Sequence, residues 1–191
     1  MSLKEIPATN VGYPMPVAVL GVEHEGRPTF MAVAWFSRVN YKPPMMAVAV
    51  GQGHVTWQAI RTARVFSLSF PSAGQVVETD YVGITSARQA DKSSVFPVFT
   101  GRLPKAPMAA NCPVTMECRL ERTVDLPSNS LFIGTIEGVY AAGECITNSH
   151  LDLGPARPFL LTMPDNRYWG LGEVVGRAWS DGRRYPVEAP E

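Results

Sequence analysis

The sequence predicts an all-β protein with short helices, built on an antiparallel sheet. Apolar runs of strand length follow one another through short polar turns, which is typical of sequential hairpins. The 17 prolines among 191 residues suit strands and loops better than helices. No strand–helix–strand rhythm favours a parallel sheet. The length suits one core, so we expect a single domain over residues 1–191.

The first half of the chain predicts a hairpin, two further strands and a helix. Two runs rich in Val, Ala and Phe flank the turn EHEGRP and predict the hairpin. The runs PPMMAVAVG and RVFSLSFP predict the next two strands. Between them, Val55, Ala59 and Ile60 have helical spacing, which predicts a short helix. Further helical turns are expected in GQVVETDYVGI and in DKSSVF.

The second half predicts another hairpin and one last strand. VTMECRLERTVDL alternates apolar and polar residues for most of its length, and SLFIGTIEGVYAAG follows it across PSNS. The run GEVVGRAW, near the end, predicts the last strand.

Charge and composition narrow the class of protein. Seventeen basic residues balance seventeen acidic ones, which disfavours nucleic acid or anionic lipid as the main partner. Three cysteines without metal-type spacing fit a reducing compartment. The N-terminal residues lack the pattern of a signal peptide, and no apolar run is long enough to span a bilayer. We therefore expect a soluble, cytoplasmic protein.

Two short motifs are compatible with an anion site. A turn at Gly51 and Gly53 places His54 and Thr56 at the start of a predicted helix, where exposed amides attract phosphate. Thr56 as a simple helix cap is the other interpretation. Lys92 follows Asp91, which is a good N-cap for a helical turn, and a cation at that position is unfavourable unless an anion is bound. A solvated surface lysine is the alternative.

Other motifs carry no function. Gly51-x-Gly53 lacks the third glycine and the parallel sheet of a dinucleotide fingerprint. The three histidines lie far apart, so no metal site is predicted, and no Gly-x-Ser-x-Gly nucleophile occurs. We expect Cys145 to be packed and no side chain to be catalytic. If the protein is an enzyme, a cofactor supplies the chemistry.

The run Met31 to Pro44 has small residues where a strand is usually bulky. Ala32, Ala34 and Ser37 lie in MAVAWFSRVNYKPP. Ordinary core packing would account for them. So would a backbone kept accessible to a flat ligand.

These residues resemble a known family. The runs YPMPVAVLGV, TFMAVAWFSRVNYKPPMMAVAV, TWQAI, FSLSFP and ETDYVGITSARQADK are similar to the flavin reductase-like, FMN-binding split-barrel family, and within it to the flavoredoxin type. The resemblance extends from Tyr13 to Trp179. It implies a six-stranded antiparallel Greek-key split barrel, a homodimer, and one FMN per subunit near the dimer interface.

The resemblance also implies a set of cofactor-binding residues. The stretch beside the isoalloxazine ring would be Met31, Ala32, Val33, Ala34 and Trp35. The turn and helix start that face the ribityl phosphate would be Gln52, His54 and Thr56. Lys92 would neutralise the phosphate, and Tyr168 would cover the ring. Trp169, beside Tyr168, suits core packing equally well.

Two departures from the family pattern bear on activity. Thr29 replaces an asparagine that is frequent in the family, and Asn129, Ser130 and Leu131 stand where many members have a histidine. That histidine helps to orient flavin or nicotinamide, so its loss affects turnover with nicotinamide more than flavin binding.

Three functions remain open at the level of sequence. The first is an NAD(P)H-dependent FMN reductase, in which hydride passes from the nicotinamide to the flavin and on to free flavin or another acceptor. The second is a flavoredoxin-type carrier that holds FMN and exchanges electrons with a redox protein. The third is a flavin-free barrel that binds another ligand.

Overall fold

The protein is described here by a computed structural model that covers residues 2–10 and 12–186. The strands of this part are β1 Met15–Pro16, β2 Ala18–His24, β3 Arg27–Val33, β4 Phe36–Asn40, β5 Met45–Gly51, β6 Val65–Phe70, β7 Val98–Phe99, β8 Met108–Ala109, β9 Val114–Asp125, β10 Asn129–Ala141, β11 Ile146–Thr147, β12 His150–Leu151, β13 Phe159–Thr162 and β14 Arg167–Gly170. The α-helices are α1 Val55–Ala63, α2 Val76–Ile84 and α3 Leu153–Ala156, and 3-10 helices span Ala8–Asn10, Ala73–Gln75, Gly143–Cys145 and Asp181–Arg184.

The main sheet has seven antiparallel strands in the order β3-β2-β6-β9-β10-β5-β4. It is buried on both faces near β2. Leu20 belongs to an apolar core with Phe66 and Phe132, whereas Val19 belongs to a second core with Phe30 and with Val82 of α2. Two-sided burial explains why β2 is a continuous apolar run.

The hairpin β2–β3 forms as the sequence predicts. Glu25 and Gly26 are its two turn residues, and both have positive φ, at 50° and 76°. This is the conformation of a type I′ turn, which matches the twist of the flanking strands. Glycine adopts it without steric cost. The register of β3 against β2 follows from this turn.

A two-residue corner joins the opposite edges of the main sheet. β3 and β4 are at opposite ends of the strand order, yet only Ala34 and Trp35 separate them in sequence. Three residue steps span at most about 11 Å, so the two edges meet here and the sheet must curl. The sequence analysis predicts six strands, and the main sheet has seven. The run from β3 into β4 contains no turn residue and reads as one strand, although the chain bends within it.

A buried carboxylate fixes the connection between β7 and β8 to the sheet. Glu117, in β9, is fully buried. It accepts hydrogen bonds from the backbone N–H of Arg102 at 2.8 Å, from that of Leu103 at 2.7 Å and from the hydroxyl of Tyr140 at 2.7 Å. These donors satisfy a charge that would otherwise be costly to bury.

Most predicted elements form, and two do not. Both hairpins, the strands β5 and β6 and the helix α1 are confirmed. The last strand, predicted in GEVVGRAW, is wrong, because Val174 and Val175 are 91% and 102% exposed and pair with no strand of the described residues. DKSSVF forms turns instead of a helix, since Asp91 accepts the N–H of Ser93 in a local Asx turn. The strands β4, β13 and β14 were not predicted.

The prediction of a single domain over residues 1–191 stays a prediction, and its extreme ends, residue 1 and residues 187–191, lie outside the described residues. Within the described ranges, no helix is long and apolar enough to cross a membrane.

Candidate functional site

Strand β3 offers backbone groups along one side. It pairs with β2, and no second strand of the described residues pairs with it, while α2 packs against the side chains of its buried face. The N–H and C=O groups of its other edge are therefore not used in a ladder. An edge of this kind can hydrogen-bond the rim of a flat polar ligand.

The two small residues of this stretch have different environments. Ala32 packs against the second core, and its Cβ would lie 3.1 Å from a Cβ placed on Gly83 of α2. The close approach of helix and strand is therefore sufficient to explain a small residue at position 32. Ala34 is at the corner, partly exposed, and lines a pocket. Of these two residues, Ala34 is the one whose small side chain leaves the backbone accessible from a pocket.

The start of α1 is a second set of unpaired donors. His54 is the N-cap residue, with φ −81° and ψ 143°, and its side chain caps no helix N–H. The first amides of the helix have no carbonyl partner within it. No acidic residue lies in the first turn, so the positive end of the helix dipole is uncompensated. This end can accept an anion.

Lys92 brings a buried ammonium group to the same region. Its side chain is 5% exposed, and Nζ donates to the carbonyl oxygens of Val82 at 3.1 Å and Thr85 at 3.0 Å. Among the described residues, no carboxylate lies within 4 Å of Nζ. Burial lowers the pKa of Lys92 below its ordinary value. An ammonium group has three donors, so one remains for a ligand.

The structure corrects the local setting predicted for Lys92. The sequence analysis puts it at the N-terminus of a helical turn, but it follows the end of α2 and binds carbonyls there. A cation is favourable at a helix C-terminus, so the dipole argument for a bound anion does not hold at this residue. An anion at Lys92 is still indicated because the ammonium group is buried without a carboxylate partner among the described residues.

These two features line one pocket. A cavity of about 110 Å³ is bounded by Met31 of β3, His54 and Thr56 of α1, and Lys92. Four of the ten residues predicted to bind the cofactor therefore come together. Thr85 and Ser86, directly after α2, add two hydroxyl groups to the wall. We call this cavity the anion pocket.

A larger pocket lies at the other end of the same stretch. Ala34 and Trp35 line a cavity of about 770 Å³ with Tyr13, Met15, Met163 and others. Trp35 is 55% exposed. Met31 and Ala34 are three residues apart, roughly 10 Å along a strand, so one ligand with an anionic end and a flat end can reach both pockets.

The other predicted residues have structural contacts. Val33 is buried in the first core. Gln52 binds the turn between β9 and β10, since its Nε2 donates to the carbonyl of Leu126 at 2.9 Å. Tyr168 donates to a carboxylate oxygen of Asp80 at 2.8 Å, and burial, with this bond, raises its pKa to about 12. None of the three lines the anion pocket, and their role toward a cofactor stays a prediction.

Ser130, in the segment where the resemblance leads us to expect a histidine, takes part in a structural network. Ser130 is fully buried, accepts from the indole N–H of Trp57 at 2.7 Å and donates to Asp125 at 2.6 Å. Its hydrogen bond lowers the pKa of Asp125, which also pairs with Arg61 at 3.1 Å. This network binds α1 to the β9–β10 hairpin.

Sequence reasoning missed Thr85 and Ser86 as wall residues. The signal was present, because the polar run TSARQADK comes directly after a predicted helical segment and ends at Lys92. Without knowing that α2 ends at Ile84, the hydroxyl groups could not be assigned to a pocket.

Comparison with known proteins identifies the family of this chain. Residues 11–154 match the family described as Flavin reductase like domain. A flavoredoxin from Methanosarcina acetivorans is 39% identical, with a TM-score of 0.94 over 96% of this chain and 98% of that chain. A flavoredoxin from Desulfovibrio vulgaris (Miyazaki F) is 28% identical, with a TM-score of 0.88 over 95% of this chain and all of that chain (100%). The chain therefore belongs to the flavin reductase-like family.

Among curated sequences, an uncharacterised protein from Aeropyrum pernix is 25% identical over 135 residues. The match covers 69% of this chain and 51% of that protein, so the chain spans about half the length of this relative.

Proposed function

We propose that this protein binds FMN and acts as a flavin oxidoreductase that passes electrons from NAD(P)H to an acceptor, either free flavin or a redox protein. The observation that carries the proposal is the anion pocket. It combines a buried ammonium group without a carboxylate partner and the uncapped start of α1. A phosphate monoester has the charge and the acceptor oxygens that both groups lack.

The residues present fit the cofactor at both ends. Lys92, the amides at the start of α1 and the hydroxyl groups of the pocket wall would hold the phosphate. The free edge of β3 would supply hydrogen bonds to the ring, and Ala34 would leave room for it. Trp35 would shield the ring from water on one side. Bound FMN supplies the capacity to accept a hydride and release electrons.

The chain itself supplies positioning. Main-chain N–H groups of an edge strand are fixed in direction before the ligand arrives, so they stabilise negative charge without reorganisation. No side chain has to move a proton in this proposal, which is consistent with the absence of a predicted catalytic residue.

A flavoredoxin-type electron carrier is the second candidate. It is favoured by the likeness to two flavoredoxins and by the segment Asn129, Ser130 and Leu131, which stands where the resemblance leads us to expect a histidine and in which Ser130 is bound in a structural network. In this case FMN stays bound and a protein partner exchanges electrons. We further propose that the protein is a homodimer and that it is cytoplasmic. A reducing compartment such as the cytoplasm would suit the three free, buried cysteines.

Anaerobic visible spectroscopy of the purified protein tests these functions. A bound flavin spectrum that bleaches with NADH or NADPH supports the reductase. Bleaching by dithionite alone supports the carrier. If no flavin is bound and none binds on titration with FMN, both are wrong. Riboflavin, which lacks the phosphate, is the matched control ligand: if it binds as tightly as FMN, the anion pocket has no role.

A further inference from the structure

The larger of the two cavities at the candidate site is the one that Ala34 and Trp35 line, and we call it the corner pocket. Its volume of about 770 Å³ is about seven times that of the anion pocket, at about 110 Å³. It lies within the range of sites for small organic molecules. A flavin ring is flat, so a ring seated against the corner would leave space in this cavity over its open face.

Three parts of the chain form the walls of the corner pocket. The N-terminal part contributes residues 8–9 and 12–16, the corner contributes residues 34–36, and the turn after β13 contributes Met163 and Pro164. β1 pairs with β13, so the first and third walls are joined by backbone hydrogen bonds. The pocket is therefore held in shape by the fold.

None of the described residues that line the corner pocket is charged. The side chains are mostly apolar or aromatic, such as those of Tyr13, Trp35 and Phe36. By contrast, the anion pocket includes Lys92, and three further cavities of the surface each include lysine or arginine side chains. An anionic ligand would lose hydration in the corner pocket without gaining an ion pair. The pocket therefore favours an uncharged ligand.

Tyr13 provides this pocket with a hydrogen-bond donor. Its hydroxyl group donates to the carbonyl oxygen of Thr9 at 3.3 Å, which is longer than the usual O–H···O distance of about 2.5–3.0 Å. A long hydrogen bond of this kind is readily exchanged for a better acceptor. Tyrosine and tryptophan combine a flat apolar ring with a polar group. A flat molecule with carbonyl oxygen atoms therefore suits this wall.

We propose that the corner pocket binds an uncharged quinone and that this quinone accepts the electrons. Its ring would stack between the aromatic wall and the flavin ring, and one carbonyl oxygen would accept the hydroxyl group of Tyr13. The overall reaction, NAD(P)H + H⁺ + quinone → NAD(P)⁺ + hydroquinone, is balanced, because the hydride carries two electrons and one proton and water supplies the second proton. This proposal rests on the proposed flavin function and adds an acceptor that is neither free flavin nor a redox protein.

A matched pair of ligands tests the charge argument. One is the uncharged 2-(hydroxymethyl)anthraquinone, and the other is anthraquinone-2-carboxylate, which has the same rings with one negative charge. Both are titrated by calorimetry into the FMN-loaded protein, so that the phosphate keeps the carboxylate out of the anion pocket. We expect the uncharged quinone to bind at least about tenfold more tightly, because the carboxylate finds no cation in the corner pocket. Equal affinities, or no binding of the uncharged quinone, would overturn the proposal.

Met163→Lys locates the binding site. Met163 is 37% exposed on the wall of the pocket, so the fold should accept lysine there. Its ammonium group would attract the carboxylate, and we expect the preference for the uncharged quinone to disappear or reverse. Val98→Lys is the matched control, since Val98 is 42% exposed on β7 and lines none of these cavities. An unchanged preference in Met163→Lys would place the quinone elsewhere and overturn the proposal. The wild-type comparison decides alone if this variant does not fold.

Electron transfer is measured by stopped-flow mixing of the reduced, FMN-loaded protein with duroquinone in the absence of oxygen. All ring carbons of duroquinone are substituted, so it does not add to cysteine thiols. The rate of flavin reoxidation should saturate as the duroquinone concentration rises, because the acceptor binds before it reacts. A rate that rises linearly over the whole soluble range would contradict a bound acceptor.

The proposed flavin function can fail separately. If the chain binds no FMN, that function is wrong, and the quinone proposal falls with it because no electron donor remains. If FMN is bound and reduced but neither anthraquinone binds, the flavin function stands and only the quinone proposal is wrong. Free flavin or a redox protein is then the acceptor.

Discussion

Lys92 is the residue on which the proposed cofactor site most depends. Its ammonium group is buried, held by two carbonyl oxygens and without a carboxylate partner among the described residues. Capping the end of α2 accounts for two of its donors. It does not explain why a charged group is kept beside a pocket that also receives the start of α1.

Lys92→Ala is expected to weaken FMN binding by about 1.5–3 kcal/mol, the value of a hydrogen bond to a charged group. Fluorescence titration measures it. Riboflavin affinity should be unchanged, because riboflavin has no phosphate. Lys42→Ala, at an exposed position, is the control variant. Unchanged FMN affinity in Lys92→Ala would remove this residue from the site.

Ala34→Leu is expected to prevent the flavin ring from approaching the backbone at the sheet corner. The side chain is partly exposed and faces a pocket, so the fold should tolerate leucine. We expect flavin content on purification to fall below about a tenth of wild type, with unchanged circular dichroism. Ala110→Leu, another exposed position, should keep its flavin. Full flavin content in Ala34→Leu would show that this corner is not the ring site.

At the level of elements, hairpins were predictable and corners were not. Alternation and turn residues predict β2–β3 and β9–β10, because a hairpin is specified locally. The division of one run into β3 and β4 has no local signal, since it results from closing the sheet. The strand predicted near Val174 does not form for the opposite reason. The local composition favours β structure, but no strand of the described residues lies beside it to pair with it.

Glu117 holds the connection between β7 and β8 against the sheet. In Glu117→Gln, an amide NH2 group would replace one of the two carboxylate oxygens. This group cannot accept a hydrogen bond, so at least one of the N–H or O–H donors around it would lose its partner. We expect a loss of about 1–3 kcal/mol in the free energy of unfolding, measured with urea. Tyr140→Phe removes only one donor and should cost less. Glu121→Gln, at an exposed position on the same strand, should be nearly neutral, and an equal effect there would contradict this role.

At the level of the whole molecule, the sequence predicts the fold class and its family, and the comparisons agree with both. It also names four residues that line the anion pocket, Met31, His54, Thr56 and Lys92, because the family resemblance carries long-range information. Residues such as Gln52 and Tyr168 were harder. Their side chains bind distant turns and helices, and no local pattern reports such contacts.

Stability should fall as pH rises above about 9. Burial raises the pKa of Cys112 and Cys118 from 9.0 to about 12, and burial with the Asp80 bond raises that of Tyr168 from 10.0 to about 12. These groups ionise in the unfolded chain while the folded chain keeps them neutral, so the folded state binds more protons and loses stability between the two pKa values.

Lys92 acts in the opposite direction, because its pKa is lower in the folded chain than in the unfolded chain. The unfolded chain therefore keeps this proton to a higher pH, and stability rises with pH over that range. The three groups above outweigh this one, and so do Tyr140 and Cys145, whose pKa values are also raised, so we expect the urea midpoint to decline from about pH 9 upward. Cys118→Ala should decline less steeply than wild type. A midpoint that is constant or rises over this range would contradict the expectation.

The exposed apolar residues around β4 are the expected dimer surface. Trp35, Val39 and Tyr41 are 55%, 49% and 73% exposed on or beside an edge strand. Such patches on edges tend to associate. We expect sedimentation to give twice the chain mass at micromolar concentration and Val39→Glu to give a monomer. Val77→Glu, on the exposed face of α2, should remain dimeric. A wild-type monomer would exclude the dimer.

The corner at Ala34 and Trp35 has a consequence for how the gene can vary. Connections between strands usually accept inserted residues, but here two residues tie both margins of the sheet. One additional residue would invert the inward and outward faces of β4 relative to β3. In a library of single-codon insertions, this should be a connection where variants are depleted, whereas the tip at Pro127 and Ser128 should tolerate them.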